Sequence, residues 1–543
     1  MSRPRPQFEQ LEGRRLFAAY YVSPFGSDAN AGSAEAPWAS TSRVNALNLE
    51  PGDHVLFQAG ATFAGGLVFT AEDAGTPAQP VVVGSYGGGR ATVSAGVGDG
   101  LSATNVTGFV VQDLAVVGAG PSGNGGSGVR FDNNLPGNVK LAHLRVDRVD
   151  VSGFGRYGIT VGGSSGKSGF RDVRITYCDA HGNGLGGIES HGVYSTSVAA
   201  GYAHEDIYVG HCRAYDNLGV PGYASHSGNG IVLSDCDQGL IERSEAFSNG
   251  ALNTHVGGPV GIWVWDVNGF VIQHNESHHN RTNSAADGGG FDLDGGVTNS
   301  VMQYNYSHDN DGAGYGIFQF KDARPFHHNT VRYNISQNDG RRNHYAGIQI
   351  WNGGSGIRDT DIYNNTVYVG PAAGATPGGL YVQTGTTNVS LRNNIFQVAP
   401  GLRVAEVLAK QTNLLMQGNS YYAGGSSLNL KFFAKTYSTL ADFRNRTGQE
   451  RVNGVNTGSD ANPQLVSPGG AGTIGNADRL EQSLGAYQLR PTSPLVNRGL
   501  NLWSQFGIDP GRRDLFGTPL PSNSTGASSY LYDVGAGEGA ASA

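Results

Sequence analysis

The stretch "GIWVWDVNGFVIQHNESHHN", residues 261–280, decides the fold of this chain. It opens with a glycine, alternates apolar residues with others through one short strand, and repeats the alternation in a second strand. The stretch "GFDLDGGVTNSVMQYNYSHDN", residues 290–310, follows the same plan. Since side chains of a strand alternate between its two faces, each stretch predicts two short strands joined by a turn.

The same plan recurs from about residue 126 to residue 400, at intervals near thirty residues. The strands that open with glycine are "GVRFDNN" at 128, "GITVGGS" at 158, "GIESHGV" at 187, "GIVLSDC" at 230, "GIWVWDV" at 261, "GFDLDGG" at 290, "GIFQFKD" at 316, "GIQIWNG" at 347 and "GLYVQTG" at 379. No helical spacing of apolar residues accompanies them. A period of this length, built from short strands alone, predicts a solenoid in which each repeat is one coil of a parallel β-helix.

One asparagine keeps its place in the second strand of successive repeats. These asparagines are Asn275, Asn305, Asn334, Asn365 and Asn394. Amide side chains that stack coil upon coil can hydrogen-bond along the stack, so the spacing predicts a structural asparagine ladder. Cys178 and Cys212 occupy the same place in earlier coils and are expected to be small inward residues. The sequence leaves open whether they form a disulfide.

Composition and charge restrict the class of protein. The chain has 543 residues, 85 of them glycine, with 15% charged residues and a formal net charge of -8. That length is too great for one compact core but suits a repeat array. Nucleic-acid binding is not expected, because its affinity comes from clustered lysine and arginine. No run is long enough for a transmembrane helix, and we expect a monomer.

Both ends of the chain resemble known proteins. The segments "YYVSPFGSDANAGSAEAPWAS" at 20–40, "TSRVNALNLEPGDHVLFQAG" at 41–60, "TYSTLADFRNRTGQE" at 436–450, "GIDPGRRDLFGTPLPS" at 507–522 and "YDVGAGE" at 532–538 are similar to the first strands and closing coils of the pectate-lyase-like superfamily. The resemblance implies an all-β, right-handed, single-stranded parallel β-helix with N- and C-terminal caps. The fold hosts lyases, hydrolases, epimerases and binding proteins, so it does not define the function.

We expect four parts. They are an N-terminal targeting-like segment at 1–19, a cap with the first coils at 20–100, the repeat region at 101–400, and the final coils with a short helix and cap at 401–543. The portion "FEQLEGRRLFAA", residues 8–19, resembles the N-terminal export element of planctomycete surface and secreted proteins, with Gly13 where proline is usual. This resemblance implies a secreted or cell-surface protein.

The outward positions of the glycine-led strands carry unusual residues. They are Glu189, His191, Trp263, Trp265, Asp292, Asp294, Phe318, Phe320, Gln349, Trp351, Tyr381 and Gln383. Coils stack about 4.8 Å apart, so these residues should form one strip, and exposed aromatic patches mark binding surfaces. We expect a groove for a polysaccharide, in which Glu189 and His191 also bind substrate. The alternative is that an N-terminal loop or the 401–480 segment covers the strip and makes it part of the core.

The leading interpretation is a polysaccharide lyase that acts by β-elimination on an acidic, uronate-containing polymer. Asp266, Asp287, Asp292 and Asp294 supply the oxygen ligands that Ca²⁺ prefers. Lys321 is then the base, and Arg324 holds the substrate carboxylate. The segment "ADGGGFDLD" at 286–294 resembles the calcium segment of family-nine pectate lyases, which also use a lysine base.

Two alternatives stay open. A glycoside hydrolase needs paired carboxyls, and residues i and i+2 of a strand lie roughly 6.5–7 Å apart at Cα. That separation is compatible with Asp292 and Asp294 as an inverting pair, which needs about 6.5–9.5 Å between carboxyl groups. A non-catalytic glycan-binding surface protein would use the same aromatic strip.

Overall fold

The computed structural model describes residues 17–520 and 532–539 as short strands wound into stacked coils. Each strand pairs in parallel with the equivalent strand of the next coil. The predicted right-handed parallel β-helix is therefore confirmed. Most of the predicted N-terminal export element lies outside the described residues. None of the described helices is long and apolar enough to span a membrane.

Each coil has up to three faces, named here the front, second and third faces. The front face contains Leu67–Phe69, Leu101–Thr104, Val129–Asn133, Tyr157–Gly163, Gly186–His191, the first parts of Asn229–Glu242 and Val260–Gln273, Gly289–Leu293, Tyr315–Gln319, Ala346–Asn352, Gly378–Val382, Arg403–Val407 and Leu430–Phe432, with Lys435–Tyr437 antiparallel at its end.

The second face contains Ala19–Val22, His54–Gln58, Val81–Tyr86, Phe109–Gln112, Lys140–Asp147, Gly169–Thr176, His204–Gly210, the second parts of the two long strands, Val301–Gln303, Phe326–His327, Thr330–Arg332, Ile357–Tyr363, Thr386–Arg392 and Leu415–Gln417. The third face contains Thr62–Ala64, Ala91–Gly96, Leu114–Gly118, Asp150–Ser152, Asp179–His181, Arg213–Tyr215, Glu245–Phe247, Glu276–His278, Tyr306–His308, Ile335–Gln337, Thr366–Val369, Ile395–Val398 and Ser420–Tyr422.

Short helices and turns lie outside these faces. The α-helices are Thr41–Val44, Leu440–Thr447, Leu480–Ser483 and Leu502–Phe506, the 3₁₀ helices are Ala71–Asp73, Val198–Ala200, Ala477–Arg479 and Gly485–Tyr487, and a small hairpin joins Arg451–Val452 to Val455–Asn456. The helix Leu440–Thr447 lies in the part expected to contain a short helix, 401–543. The hydroxyl of its N-cap residue Thr439 accepts a hydrogen bond from the Asp442 N–H, and Gly448 ends the helix in the left-handed conformation. Its Phe443 is fully buried against the last coils.

Inward-facing residues fill the coils as the alternation predicted. Ile262, Leu293 and Ile350 are all buried in one continuous core. Gln319 is the polar exception and needs internal partners. Its amide oxygen accepts a hydrogen bond from the Gly296 N–H at 3.0 Å, and its amide nitrogen donates to the Arg324 carbonyl at 2.8 Å.

The glycine that opens each front-face strand is required by close packing of the coils. A Cβ at Gly290 would lie 3.1 Å from the carbonyl oxygen of Gly314, and one at Gly314 would lie 2.7 Å from that of Gly347. Gly314 therefore opens the front-face strand Tyr315–Gln319, and the prediction that Gly316 opens it is wrong by two residues. Tyr315 takes the inward position beside Phe291.

The predicted asparagine ladder is confirmed at the turn between the second and third faces. The backbone N–H and side-chain amide of Asn275 both donate to Oδ1 of Asn305 at 3.0 Å. The same step is repeated through Asn334, Asn365, Asn394 and Asn419. Cys178 and Cys212 lie at the head of the ladder as free, buried thiols.

A second ladder lies at the turn between the third and front faces. It contains Asn183, Asn217, Asn249, Asn280, Asn310 and Asp339. Each member comes five residues after a position of the first ladder, counting Cys178, Cys212 and Ser244 as its first three positions. The sequence analysis missed this ladder although the spacing was present.

Asn334→Ala tests the ladder. The Asn334 side chain accepts two hydrogen bonds from Asn305 and donates to Met302 and Asn365. Since buried groups left unpaired each cost about 1–3 kcal/mol, we expect a loss of roughly 2–4 kcal/mol in unfolding free energy, measured by urea unfolding. Exposed Asn283 provides the control, and equal midpoints for Asn334→Ala and Asn283→Ala would contradict the stabilising role.

Candidate active site

A cleft of about 800 Å³ opens on the front face, within the size range of ligand sites. The residues that line it are Ser225, His226, His255, Val256, Gly257, Gly258, Val260, Trp263, Trp265, Ala286, Asp287, Asp292, Asp294, Phe318, Phe320, Tyr345, Gln349, Trp351 and Gln383. Nine of these nineteen residues come from outward positions of consecutive front-face strands, as the alternation predicted. Eight come from loops at residues 225–226, 255–258 and 286–287, and Val260 and Tyr345 complete the lining.

The floor of the cleft depends on the register of the coil that begins at Gly314. Asp292 pairs with Gly316, which in turn pairs with Gln349. A Cβ at Gly316 would lie 2.8 Å from Oδ1 of Asp292. Because Gly316 has no side chain, a hollow remains beside the Asp292 carboxyl.

Asp292 is buried without compensation. Its side chain is 3% exposed, and Oδ1 has no hydrogen-bond partner among the described residues. Burial raises the pKa of Asp292 well above its ordinary value, and the nearby Asp294 and Asp287 raise it further. Burial therefore favours the protonated form of this carboxyl, which can donate a hydrogen bond.

Asp287 and Asp294 flank this carboxyl and are both partly exposed. The Asp287 N–H donates to the Tyr345 hydroxyl at 2.6 Å. Burial and the charge of Asp294 raise the pKa of Asp287 to about 7, although a hydrogen bond from the Gly258 N–H opposes the shift. Burial raises the pKa of Asp294 to about 6, opposed by the Gly295 N–H, which donates at 2.7 Å.

The electrostatics of the cleft follow from what surrounds the three carboxyls. No lysine or arginine is among the described residues that line it. Burial therefore raises the pKa of all three carboxyls without a compensating lysine or arginine, and repulsion by neighbouring carboxylates adds to the rise at Asp287 and Asp292. Carboxyls in one cleft whose pKa values differ near neutrality are typical of acid–base catalysis.

The expected aromatic residues form one wall. Phe318 meets Trp351 edge-on with ring centroids 6.1 Å apart, and Trp265 meets Phe320 at 6.2 Å. The Phe320 ring occupies the space over Gly295, where a Cβ would lie 2.2 Å from it. The structure thus brings these four rings together beside the carboxyls.

The strip is not open along its whole length. Trp263 is buried in one apolar cluster with Tyr157 and Val232, so this part of the strip is largely closed to solvent. Tyr381 lies outside the lining, edge-on to His344 at 5.1 Å and beneath the Arg403 guanidinium at 4.8 Å. Its expected contact with substrate does not fit this position.

His226 is a cleft residue that the sequence analysis missed. Its Nδ1 accepts a hydrogen bond from the Asn229 amide at 2.9 Å, and the Asn229 oxygen accepts one from Trp263 Nε1 at 3.2 Å. Burial lowers the pKa of His226, so the neutral ring carries its proton on Nε2. His226 and His255 lie in turns outside the glycine-led strands, where no spacing singled them out.

Three residues expected to act on a uronate lie elsewhere. Lys321 is exposed in the turn after Tyr315–Gln319 and does not line the cleft. Arg324 is 2% exposed, with Nη1 3.0 Å from Asp266 Oδ1 and Nε donating to the Ser195 carbonyl at 2.6 Å. Arg324 and Asp266 thus form a buried ion pair that fastens a loop, and their expected roles do not fit.

The expected calcium ligands do not converge in the described part of the chain. The one group of three or more side chains there whose ligand atoms all lie within 4.8 Å of one another is Glu276, His278 and His308. Asp287, Asp292 and Asp294 are not such a group in this structure, and Asp266 is paired with Arg324.

The group of Glu276, His278 and His308 does not fit a metal ion either. It lies on the third face, where His308 Nε2 is 3.1 Å from Glu276 Oε1 and His278 Nε2 is 3.0 Å from Glu245 Oε1. The two imidazole rings stack 4.6 Å apart at an angle of 10°. Lone pairs of parallel rings do not converge on one ion, and the carboxylates already hold the ring nitrogens.

Glu189 and His191 lie on the front face but outside this cleft. They line a separate pocket of about 330 Å³, with the His191 Nδ1 3.0 Å from Glu189 Oε2. The sequence placed both residues on the correct face, but buried Val232 and Trp263 separate them from this cleft.

Comparisons with known proteins agree with this architecture. The family model described as "Right handed beta helix region" matches residues 127–331 and, in an overlapping match, 209–396. A lacto-N-biosidase from Bifidobacterium longum subsp. longum is 26% identical over 64% of this chain and 27% of its own length. The chain therefore spans about a quarter of that curated relative.

Solved structures show the same fold. The GH136 lacto-N-biosidase from Eubacterium ramulus aligns over 73% of this chain and 68% of its own, at 18% identity and a TM-score of 0.52. Pectate lyase Pel9A aligns over 97% of both chains at 16% identity, with a TM-score of 0.40. The matched repeats and the observed coils together make this chain a right-handed parallel β-helix protein.

Proposed function

We propose that this protein is a glycoside hydrolase that cleaves a glycan in the front-face cleft, with Asp287 and Asp294 as its catalytic carboxyls. The observation that carries the proposal is the cluster of three aspartates with unequal, raised pKa values. They lie beside an aromatic wall in a cleft without a lining cation among the described residues.

Exposure and pKa assign the roles. Asp294 has a pKa of about 6, so it is the carboxyl that ionises first and acts as base or nucleophile. Asp287 has a pKa of about 7 and retains the proton that the leaving oxygen needs. Asp292 is too covered to reach a sugar ring and acts as a positioning residue, which revises the pair expected from the sequence.

A lyase has less support from this geometry. β-Elimination needs a base beside the substrate carboxylate and a cation to neutralise that carboxylate. Lys321 and Arg324 lie outside the cleft, and Asp287, Asp292 and Asp294 are not among the described side chains whose ligand atoms lie within 4.8 Å of one another. A cleft lined by three aspartates also disfavours the acidic polymer that the sequence suggested.

The name of the curated relative indicates a first substrate. That protein is a lacto-N-biosidase, so we propose neutral glycans that contain lacto-N-bioside as the class to test. A secreted or surface location stays part of the proposal, on the N-terminal resemblance.

The deciding experiment incubates the full chain with p-nitrophenyl lacto-N-bioside, a panel of p-nitrophenyl monosaccharide glycosides, and polygalacturonate. Release of p-nitrophenol supports the hydrolase. An unsaturated product from polygalacturonate, detected by ultraviolet absorbance, would overturn it in favour of the lyase. Failure to cleave any member would favour a glycan-binding protein.

Asp287→Asn and Asp294→Asn should each lower kcat by about 10²–10⁴-fold, because each removes a proton-transfer group or a nucleophile. Asp292→Asn should lose only about tenfold, since the asparagine amide still donates in place of a protonated carboxyl. Exposed Asp322→Asn is the matched control and should keep wild-type activity. A larger loss for Asp292→Asn than for Asp294→Asn would reverse the assigned roles.

The pH dependence follows from the two pKa values. Below pH about 6 protonation of Asp294 removes the base, and above pH about 7 loss of the Asp287 proton removes the acid. We therefore expect kcat/KM to be bell-shaped, with an optimum between these values that belongs to the coupled pair. The residual activity of Asp287→Asn should lack the alkaline limb, and persistence of that limb would exclude Asp287 as the acid.

Lys321→Ala should leave activity unchanged, because Lys321 is exposed in a turn outside the cleft. Addition of EDTA should likewise have no effect on the initial rate. A loss of activity in Lys321→Ala, or a loss in EDTA that added calcium restores, would instead favour the calcium-dependent lyase.

A further inference from the structure

The second pocket, defined above by Glu189 and His191, is built from two rows of front-face residues. Arg130, Thr160 and Glu189 pair in one row, and Asp132, Gly162 and His191 pair two residues later. A Cβ at Gly162 would lie 2.6 Å from Cε1 of His191 and 3.3 Å from Oδ1 of Asp132. The missing side chain thus leaves a hollow between a carboxylate and an imidazole.

The charges of this pocket are balanced. Arg130 Nε lies 2.8 Å from Asp99 Oδ2, and His191 Nδ1 lies 3.0 Å from Glu189 Oε2. The carboxylate of Glu189 raises the pKa of His191, which favours the charged pair. The third lining cation, Arg156, is exposed, so the described lining residues offer the carboxylates of Asp99, Asp132 and Glu189 against two guanidiniums and the His191 imidazolium. A pocket whose opposite charges are equal in number fits a neutral ligand best.

One buried group in the pocket lacks a partner. Ser127 is 1% exposed and lines the pocket, and its Oγ has no hydrogen-bond partner among the described residues. Buried hydroxyls are normally paired. An unpaired hydroxyl here indicates a position that a polar ligand occupies.

A covered strip separates this pocket from the cleft. Val232 and Trp263 lie between them along the front face and are 1% and 5% exposed. Both belong to the same buried apolar cluster as Tyr157, which also lines the second pocket. The two cavities are therefore distinct.

We propose that the second pocket binds a neutral sugar residue, separately from the cleft. Adjacent hydroxyls of one sugar donate to the carboxylates of Asp132 and Glu189 and exchange hydrogen bonds with Ser127, while Tyr157 contacts the apolar side of the ring. The cleft hydrolyses a glycan, and this pocket holds one without chemistry.

The test uses two matched variants that each fill one cavity. Gly162→Val displaces His191, which is half-exposed and can move, and fills the second pocket. Gly316→Val fills the cleft beside Asp292. Wild type and both variants are applied to a printed array of neutral oligosaccharides, and the strongest binder is titrated by calorimetry.

We expect glycan binding that persists in Gly316→Val and is weakened at least about tenfold, or about 1.4 kcal/mol, in Gly162→Val. Binding that is lost entirely in Gly316→Val, or that Gly162→Val leaves intact, overturns the proposal. Glu189→Gln keeps the shape of the pocket and should weaken the same binding, which covers the case in which Gly162→Val does not fold.

The result of the glycan-binding test does not depend on whether the cleft hydrolyses a glycan. Loss of p-nitrophenol release in Asp294→Asn reports the cleft alone, whether or not the second pocket binds a sugar. A protein that binds through the second pocket but cleaves nothing would overturn the proposed function and leave this inference standing.

Discussion

The constraint on which the rest of the structure depends is the constant register of coil upon coil. Backbone pairing alone permits a strand to slip, whereas the asparagine ladders hold each turn through two hydrogen bonds to the next side chain. A slip would leave buried amides unpaired, which costs far more than the slip gains. Outward residues from distant parts of the sequence therefore meet in fixed rows.

Because the rows are fixed, glycine has two different roles on the front face. The glycines that open the front-face strands are small because the next coil's carbonyl occupies the space of a Cβ. Gly162 and Gly316 lie instead on the outward side, where a missing side chain leaves a hollow beside a carboxyl. The same residue type thus packs the solenoid at one position and opens a cavity at another.

Some buried carboxylates near the front face form ion pairs with a lysine or arginine, whereas the cleft aspartates do not. Lys167 lies 2.6 Å from Asp235, and Arg324 lies 3.0 Å from Asp266, in buried pairs that also hold the carbonyls of a loop. Burial raises the pKa of Asp266 to about 7 as well, but the Arg324 guanidinium opposes that rise. At the cleft aspartates burial raises the pKa without an opposing lysine or arginine among the described lining residues.

The sequence by itself determined the coil, the first ladder, the front-face strip, and the neighbourhood of the three aspartates with Trp265, Phe318, Phe320 and Trp351. These features follow from a local periodicity that recurs in every repeat. Only the tertiary structure decided that Asp292 faces Gly316, that Arg324 is buried with Asp266, and that Lys321 and Tyr381 lie outside the cleft. The physical reason is that a turn shortened the coil before Gly314 and loops covered part of the strip. Turn length and loop path depend on contacts between residues far apart in the chain, which no local pattern encodes.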